Sequence, residues 1–177
     1  MTLFGKLKIK TEKAKIQRTK FIGDVKNTSP EFQIATWFGS GLIVPASGTW
    51  GTVGGAIFAI ILMATTSSLI TFLVACFLTL IGYWATKKIE SQSTEHDSSF
   101  IVIDEVVAIL FVYALMPQFS VTFVILGFII FRIFDAAKPW PINWLDHNIG
   151  GAAGVIIDDL MAALYTLSLL WGIYGLI

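Results

Sequence analysis

The sequence predicts an all-α fold, a polytopic membrane bundle of about five apolar helices arranged as two short hairpins and a long C-terminal helix. The first observation behind this prediction is composition. Hydrophobic residues make up 55% of the 177 residues and charged residues only 14%, whereas soluble domains have about 25% charged residues. The second observation is size, because a chain this short buries only a limited share of its surface. Much of the apolar surface is therefore expected to face lipid.

Five apolar stretches are expected to form these helices, since backbone groups in hydrocarbon must satisfy their hydrogen bonds within the segment. The second and the fifth reach the roughly 20 residues that a straight span needs. The other three are shorter and are expected to be tilted, partly re-entrant or shielded by their neighbours. The five stretches cover residues 52–64, 68–86, 105–116, 120–134 and 154–177.

The loops between these stretches differ on the two sides of the membrane. Tight turns join the first stretch to the second and the third to the fourth, while the longer loops lie on the opposite side. The longer loops and residues 1–30 contain most of the basic side chains, so the positive-inside rule places them in the cytoplasm. Residues 1–30 are expected to form a flexible basic arm that either binds anionic headgroups or stays solvated. Residues 31–177 are expected to form one membrane-embedded domain.

Carboxylates at the cytoplasmic ends of the apolar stretches are the strongest chemical signal. An ionised aspartate inside an apolar helix costs about 2.5–3.5 kcal/mol, and neighbouring acids also repel each other. Hard cations such as Mg²⁺ prefer oxygen ligands, so the cluster predicts a divalent-cation site. Helix capping also explains Asp104 and Glu105, but it does not explain Asp158 and Asp159, which have apolar residues on both sides. The predicted ligands are Asp104, Glu105, Asp135, Asp158 and Asp159.

Two basic residues and a Gly/Ser/Thr-rich loop are predicted to bind phosphate beside this cation. Arg132, Asp135 and Lys138 are spaced by three, which places them on one side of a helix. Arg and Lys are strong partners for phosphate oxygens, although each base taken alone could simply snorkel to the interface. Loop hydroxyls and N–H groups before a helix also suit phosphate, and a flexible loop with a helix cap explains the loop equally well. The candidate hydroxyl donors are Ser40, Ser47 and Thr49.

These segments resemble the bacterial phosphatidylglycerophosphatase A family. The resemblance rests on Phe-Gly-Ser-Gly and Pro-Ala-Ser-Gly-Thr-Trp-Gly within residues 35–52, and on Asp97 followed by Ile-Asp-Glu-Val-Val. It continues with Arg-Ile-Phe-Asp-Ala-Ala-Lys-Pro-Trp-Pro at residues 132–141 and with Ile-Asp-Asp at residues 157–159. It extends over residues 32–177 and leaves the basic arm outside.

The resemblance implies a Mg²⁺-dependent lipid phosphatase of the bacterial inner membrane, with its active site on the cytoplasmic side. Its substrate would be phosphatidylglycerophosphate, and its product phosphatidylglycerol would serve glycerophospholipid biosynthesis. The bilayer and this lipid are the expected partners, with no nucleic acid and no obligate protein partner. The predicted catalytic residues are Asp104, Glu105, Asp135, Lys138, Asp158 and Asp159. The predicted substrate-binding residues are Arg132, Lys138, Ser40, Ser47 and Thr49.

The residues alone leave several alternatives open. A phosphatase acting on another lipid phosphate, such as phosphatidic acid, has the same requirements for a site. A cation transporter would also need acids, although a transporter favours acids spread through the membrane depth instead of gathered at one face. A non-catalytic membrane scaffold would gain nothing from so many acids near hydrocarbon. A bound water and an aspartate remain alternative nucleophiles.

Overall fold

The computed structural model describes residues 3–92 and 99–176, and this part of the chain contains helices and no β-strand. The predicted all-α class is therefore confirmed. A short 3-10 helix, Ser40–Leu42, precedes the third α-helix. The α-helices are α1 (Leu3–Asp24), α2 (Pro30–Ala35), α3 (Ser47–Thr65), α4 (Ser68–Gln92), α5 (Ile103–Leu115), α6 (Val121–Ala137), α7 (Ile142–Asn148) and α8 (Gly151–Tyr174).

The five apolar stretches of the sequence correspond to α3, α4, α5, α6 and α8. Three of these helices, α3, α4 and α8, are long and apolar enough to cross a membrane. The second and fifth stretches were predicted to have this length, and both predictions are confirmed. The first was predicted to be too short, and this is wrong, because the helix begins at Ser47 and reaches 19 residues. The loop composition around Gly48 and Gly51 hid its first turn.

Helix α5 occupies the centre of the bundle. Ten of its thirteen residues are buried, and at about 1.5 Å per residue the helix is too short to cross a bilayer by itself. Helices α3, α4 and α8 surround it, which agrees with the expected shielding of short stretches. Small residues let these helices come close: a Cβ at Gly55 would lie 2.8 Å from the Cα of Val106, and one at Gly82 would lie 2.8 Å from Ile103.

The basic arm is helical in the structure, as α1, and its end packs on the membrane domain. Phe21 and Val25 are buried. The ring of Phe21 stacks on Phe32 of α2 at a centroid distance of 5.6 Å and contacts Phe100 at 5.4 Å. The packing near Phe21 anchors the arm, and its predicted flexibility stays a prediction.

Candidate active site

A polar cavity of about 630 Å³ lies where α5 and α8 begin, α6 ends and α3 starts. The packing of four helices brings together residues that are far apart in the sequence. Eight of the ten predicted site residues line the cavity, and together they form one acidic and basic surface. These eight are Ser47, Asp104, Glu105, Arg132, Asp135, Lys138, Asp158 and Asp159.

Three of the acids point at one another. Asp104, Glu105 and Asp159, here called the converging acids, each contribute one carboxylate oxygen to a group whose members lie within 4.8 Å of one another. Asp104 is 9% exposed and Asp159 is 3% exposed. One buried oxygen of each converging acid has no hydrogen-bond partner among the described residues. A buried oxygen without a hydrogen-bond partner costs folding free energy. A group of carboxylate oxygens of this kind fits a divalent cation.

Local helix geometry explains how these acids meet. Asp104 and Glu105 lie in the first turn of α5, whose N-cap residue, Val102, offers no capping side chain. Negative charge is favourable at that position because of the helix dipole, so the capping interpretation and the cluster are compatible. Asp158 and Asp159 are the eighth and ninth residues of α8. Consecutive helical residues differ by about 100° in direction, so Asp159 faces the converging group while Asp158 faces elsewhere.

The other two acids are paired with bases. Asp135 forms an ion pair with Arg132 on the same helix face. Asp158 accepts a hydrogen bond from the Lys138 ammonium at 2.6 Å. Asp135 and Asp158, here called the base-paired acids, were predicted as cation ligands. The structure leaves both outside the converging group, and each directs one oxygen at a base.

Arg132 is fixed from several sides. Its Nη1 donates to the Thr52 hydroxyl at 3.2 Å, and its Nη2 lies 3.5 Å from the Thr49 hydroxyl. The Thr52 hydroxyl itself donates to the Gly48 carbonyl at 2.8 Å, which leaves its lone pair free to accept from Arg132. Nη1 also lies 3.8 Å from Glu105. Arg132 therefore links α3, α5 and α6 beside the converging acids.

Lys138 adopts an unusual backbone conformation at the end of α6. Its φ of 41° and ψ of 58° are left-handed, a conformation that non-glycine residues rarely adopt and that is concentrated at functional sites. The side chain reaches both Asp158 of α8 and Asp146 of α7, the latter at 2.7 Å. Burial lowers the pKa of Lys138, but the bonds to Asp146 and Asp158 outweigh it and raise this pKa above its ordinary value. The ammonium is therefore charged at neutral pH.

The start of α3 lies directly against the acids. A Cβ added at Gly48 would collide with Oε1 of Glu105 and would lie 3.4 Å from Nη2 of Arg132. Any larger residue would have to displace the Glu105 carboxylate. Ser47 and Gly48 both line the cavity, and the helical turn that they begin has N–H groups without helical partners. Such N–H groups favour anions, and Ser47 lies beside them in the cavity wall.

Comparison with known proteins decides the family. The family model described as phosphatidylglycerophosphatase A matches residues 33–174. The chain belongs to the phosphatidylglycerophosphatase A family. The match includes every residue of the cavity and confirms the resemblance seen in the sequence, together with its implication that the chain is a phosphatase. All of α1 lies before the matched segment.

Named relatives cover most of the chain. The Haemophilus influenzae phosphatidylglycerophosphatase A is 35% identical over 145 residues, which cover 82% of this chain and 89% of the relative. The Escherichia coli phosphatidylglycerophosphatase A is 32% identical over 150 residues, covering 83% and 85%. A Bacteroides thetaiotaomicron protein, provisionally named a phosphatidylinositol-3-phosphatase, is 34% identical over 148 residues, covering 77% and 89%. No solved structure matches the chain.

Two of the predicted phosphate donors do not line the cavity. Ser40 follows a chain reversal in which Trp37, Phe38 and Gly39 all have positive φ. Its hydroxyl is directed at the Thr36 carbonyl, 3.4 Å away, so the prediction that Ser40 binds substrate is not supported by its position. Thr49 contacts Arg132 instead of the cavity itself, which gives it an indirect place in the site.

Three residues that line the cavity or support its side chains were missed from the sequence. Glu90 was assigned to a loop, but α4 continues past it, and its carboxylate accepts from the N–H of Ala152 at 3.1 Å and so caps α8. Asp146 belongs to α7 and holds Lys138, and Thr52 holds Arg132. Of these three residues, only Thr52 had a signal in the sequence, because its hydroxyl lies one helical turn from a predicted site residue. Asp97, part of the family resemblance, lies outside the described residues.

Proposed function

We propose that the chain is a Mg²⁺-dependent phosphatase that hydrolyses the terminal phosphomonoester of phosphatidylglycerophosphate to phosphatidylglycerol and phosphate. The observation that carries the proposal is the convergence of three acids, each with one buried oxygen that has no hydrogen-bond partner among the described residues, beside Arg132 and Lys138 in one cavity. The names of the Haemophilus influenzae and Escherichia coli relatives support this substrate. The reaction would supply phosphatidylglycerol for glycerophospholipid synthesis.

The converging acids Asp104, Glu105 and Asp159 would hold the Mg²⁺. Their all-oxygen donor set suits a hard cation that keeps part of its shell for water and phosphate. A Mg²⁺ held by these residues would supply Lewis-acid chemistry, which polarises a phosphoryl group and makes water a better nucleophile at neutral pH. The base-paired acids lie next to this group and add negative charge to its surroundings.

The basic residues bind and orient the phosphate. Arg132 presents a guanidinium that Thr52 and Asp135 hold in one orientation, and Lys138 presents an ammonium that Asp146 and Asp158 hold. Both cations stabilise negative charge as the bond from phosphorus to the glycerol oxygen breaks. In the net reaction the oxygen of water forms the new bond to phosphorus. The glycerol oxygen takes up one proton, which balances the proton that water gives up.

The cavity is proposed to open at the cytoplasmic face of the bacterial inner membrane. Glu90 lines the cavity near the end of α4, and Lys87 and Lys88 lie within one turn of it. The Lys88 ammonium lies 5.2 Å above the ring of Trp84, a combination of base and indole that is typical of a cytoplasmic membrane boundary. A lipid could keep its acyl chains in the bilayer while its phosphomonoester enters the cavity.

A second lipid phosphate is the alternative substrate. The Bacteroides thetaiotaomicron relative covers the same domain at a similar identity but is named for phosphatidylinositol 3-phosphate. The cavity chemistry recognises a phosphomonoester and does not by itself distinguish the alcohol that carries it. The choice of substrate is therefore an experimental outcome.

The test measures phosphate release by the purified full-length protein in Mg²⁺ and in EDTA. Phosphatidylglycerophosphate, phosphatidic acid and phosphatidylinositol 3-phosphate are compared for wild type, Asp159→Asn, Lys138→Ala and the surface control Lys87→Ala. We expect the highest kcat/KM with phosphatidylglycerophosphate, no turnover in EDTA, and a loss of about 10²-fold or more in the two site variants.

Two results would contradict this function. Full activity in EDTA, or unchanged turnover in both site variants, would remove the proposed site. A higher kcat/KM with one of the other two lipids would assign the same site to that substrate. The Lys87→Ala control is expected to retain activity because Lys87 contacts Tyr83 outside the cavity.

A further inference from the structure

A second concave surface of about 260 Å³ lies between α3 and α6, with α5 as its floor, and is called here the α3–α6 groove. Its walls include Ile60 of α3 and Ile125 of α6. The single hydroxyl among its lining residues belongs to Tyr113, and it donates to the carbonyl of Val124 at 3.0 Å. Since this hydroxyl is already satisfied, the groove offers a ligand only apolar surface.

The register of both walls connects the α3–α6 groove with the active-site cavity. On α6, Ile125, Phe128 and Arg132 are three and four residues apart, so they share one helix face. On α3, Thr52 precedes the groove residue Ala56 by one turn. Arg132 bonds to Thr52 about one turn beyond the groove residues Phe128 and Ala56, and it also lines the polar cavity. The apolar groove therefore ends about one helical turn from the polar cavity, with Arg132 between them.

The α3–α6 groove opens towards the lipid side of the bundle. Ile125 is 52% exposed and Ile60 is 37% exposed, and α3 is one of the helices able to cross a membrane. Ile125 lies seven residues from Arg132, a distance of about 10 Å along the helix. The volume is below the roughly 300–1,000 Å³ of pockets for drug-sized ligands, so the groove fits part of one hydrocarbon chain and not a whole lipid.

We propose that the α3–α6 groove binds one acyl chain of the same phospholipid whose phosphomonoester occupies the polar cavity. The inference rests on the proposed function, because it requires a lipid phosphomonoester in that cavity. The surrounding bilayer is as apolar as the groove, so binding there adds little affinity. The main effect of the groove is to position the lipid. A chain held beside Arg132 aligns the headgroup with the converging acids, and alignment of this kind acts on the rate of the chemical step.

The test fills the deep part of the groove and varies the length of the chain. Ile60→Trp and Ile125→Trp place an indole on opposite walls, about 10–12 Å from the Thr52–Arg132 contact. The matched control is Ile61→Trp, since Ile61 is the next residue of α3, is 53% exposed and lies outside the groove. Each variant is assayed with dipalmitoyl and dihexanoyl phosphatidylglycerophosphate in mixed micelles.

The expected result depends on both position and chain length. Both groove variants should lower kcat/KM for the dipalmitoyl lipid by about tenfold, equivalent to about 1.4 kcal/mol. The dihexanoyl lipid should be hydrolysed at the wild-type rate because its chains end above the substituted positions, and Ile61→Trp should alter neither. Equal losses in Ile60→Trp and Ile61→Trp, equal losses with both lipids, or no loss at all would overturn the proposal.

A second measurement tests acyl-chain binding in the groove independently of the proposed function. If wild type released no phosphate from either lipid, the proposed function would fail, and the groove would be judged by photolabelling. Phosphatidic acid with a diazirine in one acyl chain is compared with phosphatidylcholine carrying the same chain. The groove requires stronger labelling of peptides containing Ile60 and Ile125 by the phosphatidic acid probe. Equal labelling by both probes would overturn it.

Discussion

The five predicted acids of the cavity form two groups with different partners, although all five line the same cavity. The converging acids direct partnerless oxygens at one point: Asp104, Glu105 and Asp159. The base-paired acids direct theirs at bases: Asp135 and Asp158. Negative charge in the cavity is thus balanced in two ways. The converging acids leave room for a metal cation, whereas the base-paired acids hold the basic side chains of Arg132 and Lys138 in place.

This difference assigns separate tasks to neighbouring residues. Asp158 and Asp159 are adjacent in α8, yet Asp158 holds Lys138 while Asp159 belongs to the converging group. Removing a converging acid should change how the protein responds to Mg²⁺. Removing a base-paired acid should change how the phosphate is held, with the response to Mg²⁺ preserved.

The largest expected effect comes from substituting the two adjacent aspartates one at a time. Asp159→Asn should lower kcat/KM by about 10²–10³-fold and should raise the Mg²⁺ concentration that gives half-maximal activity, because a metal ligand is lost. Asp158→Asn should also lower activity, through Lys138, but should leave that Mg²⁺ concentration unchanged. Titration of both variants with Mg²⁺ measures the two quantities together. Equal shifts in Mg²⁺ requirement would erase the distinction between the groups.

A smaller loss is expected from crowding a converging acid without changing its charge. The added methyl group in Gly48→Ala would collide with Glu105, and displacements of this size can cost about 10²-fold in rate. Gly172→Ala is the matched control, because a Cβ at Gly172 meets no atom within 4 Å. Activity assays of both variants, with helicity checked by circular dichroism, measure the effect. Wild-type turnover in Gly48→Ala would show that the approach of α3 to Glu105 is unimportant.

The smallest expected effect concerns the support of a base. Thr52→Val removes the acceptor for Arg132 and the donor to the Gly48 carbonyl. The loss of about 1 kcal/mol for such a hydrogen bond corresponds to about fivefold in kcat/KM. Thr52→Ser keeps the hydroxyl and should restore activity, which a purely steric role for Thr52 would not allow. The kinetic comparison of Val and Ser variants measures this contribution.

The site was largely predictable because its residues interrupt apolar patterns. Charged residues next to long hydrophobic runs are rare without a function, and this rule identified five acids of the cavity together with Arg132 and Lys138, but not Glu90 or Asp146. The helices were predictable from the apolar patterns themselves, since the central part of each helix is a continuous apolar stretch. The start of α3 was not predictable, because Gly48 and Gly51 have low helix propensity. Their place in the helix is explained by tertiary contacts, since a Cβ at Gly51 would collide with Val102 and one at Gly48 with Glu105.

The division of the acids into two groups could not be predicted. It depends on the rotation of α8 about its own axis and on the left-handed conformation of Lys138. It depends also on Asp146, which a separate short helix places beside Lys138. These are tertiary relations between segments that are distant in sequence, and spacing along one helix carries no information about them. Ser40 was misplaced for a similar reason, because the reversal at Trp37–Gly39 has no clear signature in composition.

The most direct test of the central claim is the effect of Mg²⁺ on thermal unfolding of the purified full-length protein. A ligand that binds only the folded state at about one hundred times its Kd adds about 2.7 kcal/mol to stability, so Mg²⁺ should raise the Tm of wild type by several degrees. Asp104→Asn should reduce this rise strongly, whereas Asp135→Asn should retain it. A Tm that does not respond to Mg²⁺, or an equal reduction in both variants, would contradict a cation site formed by the converging acids.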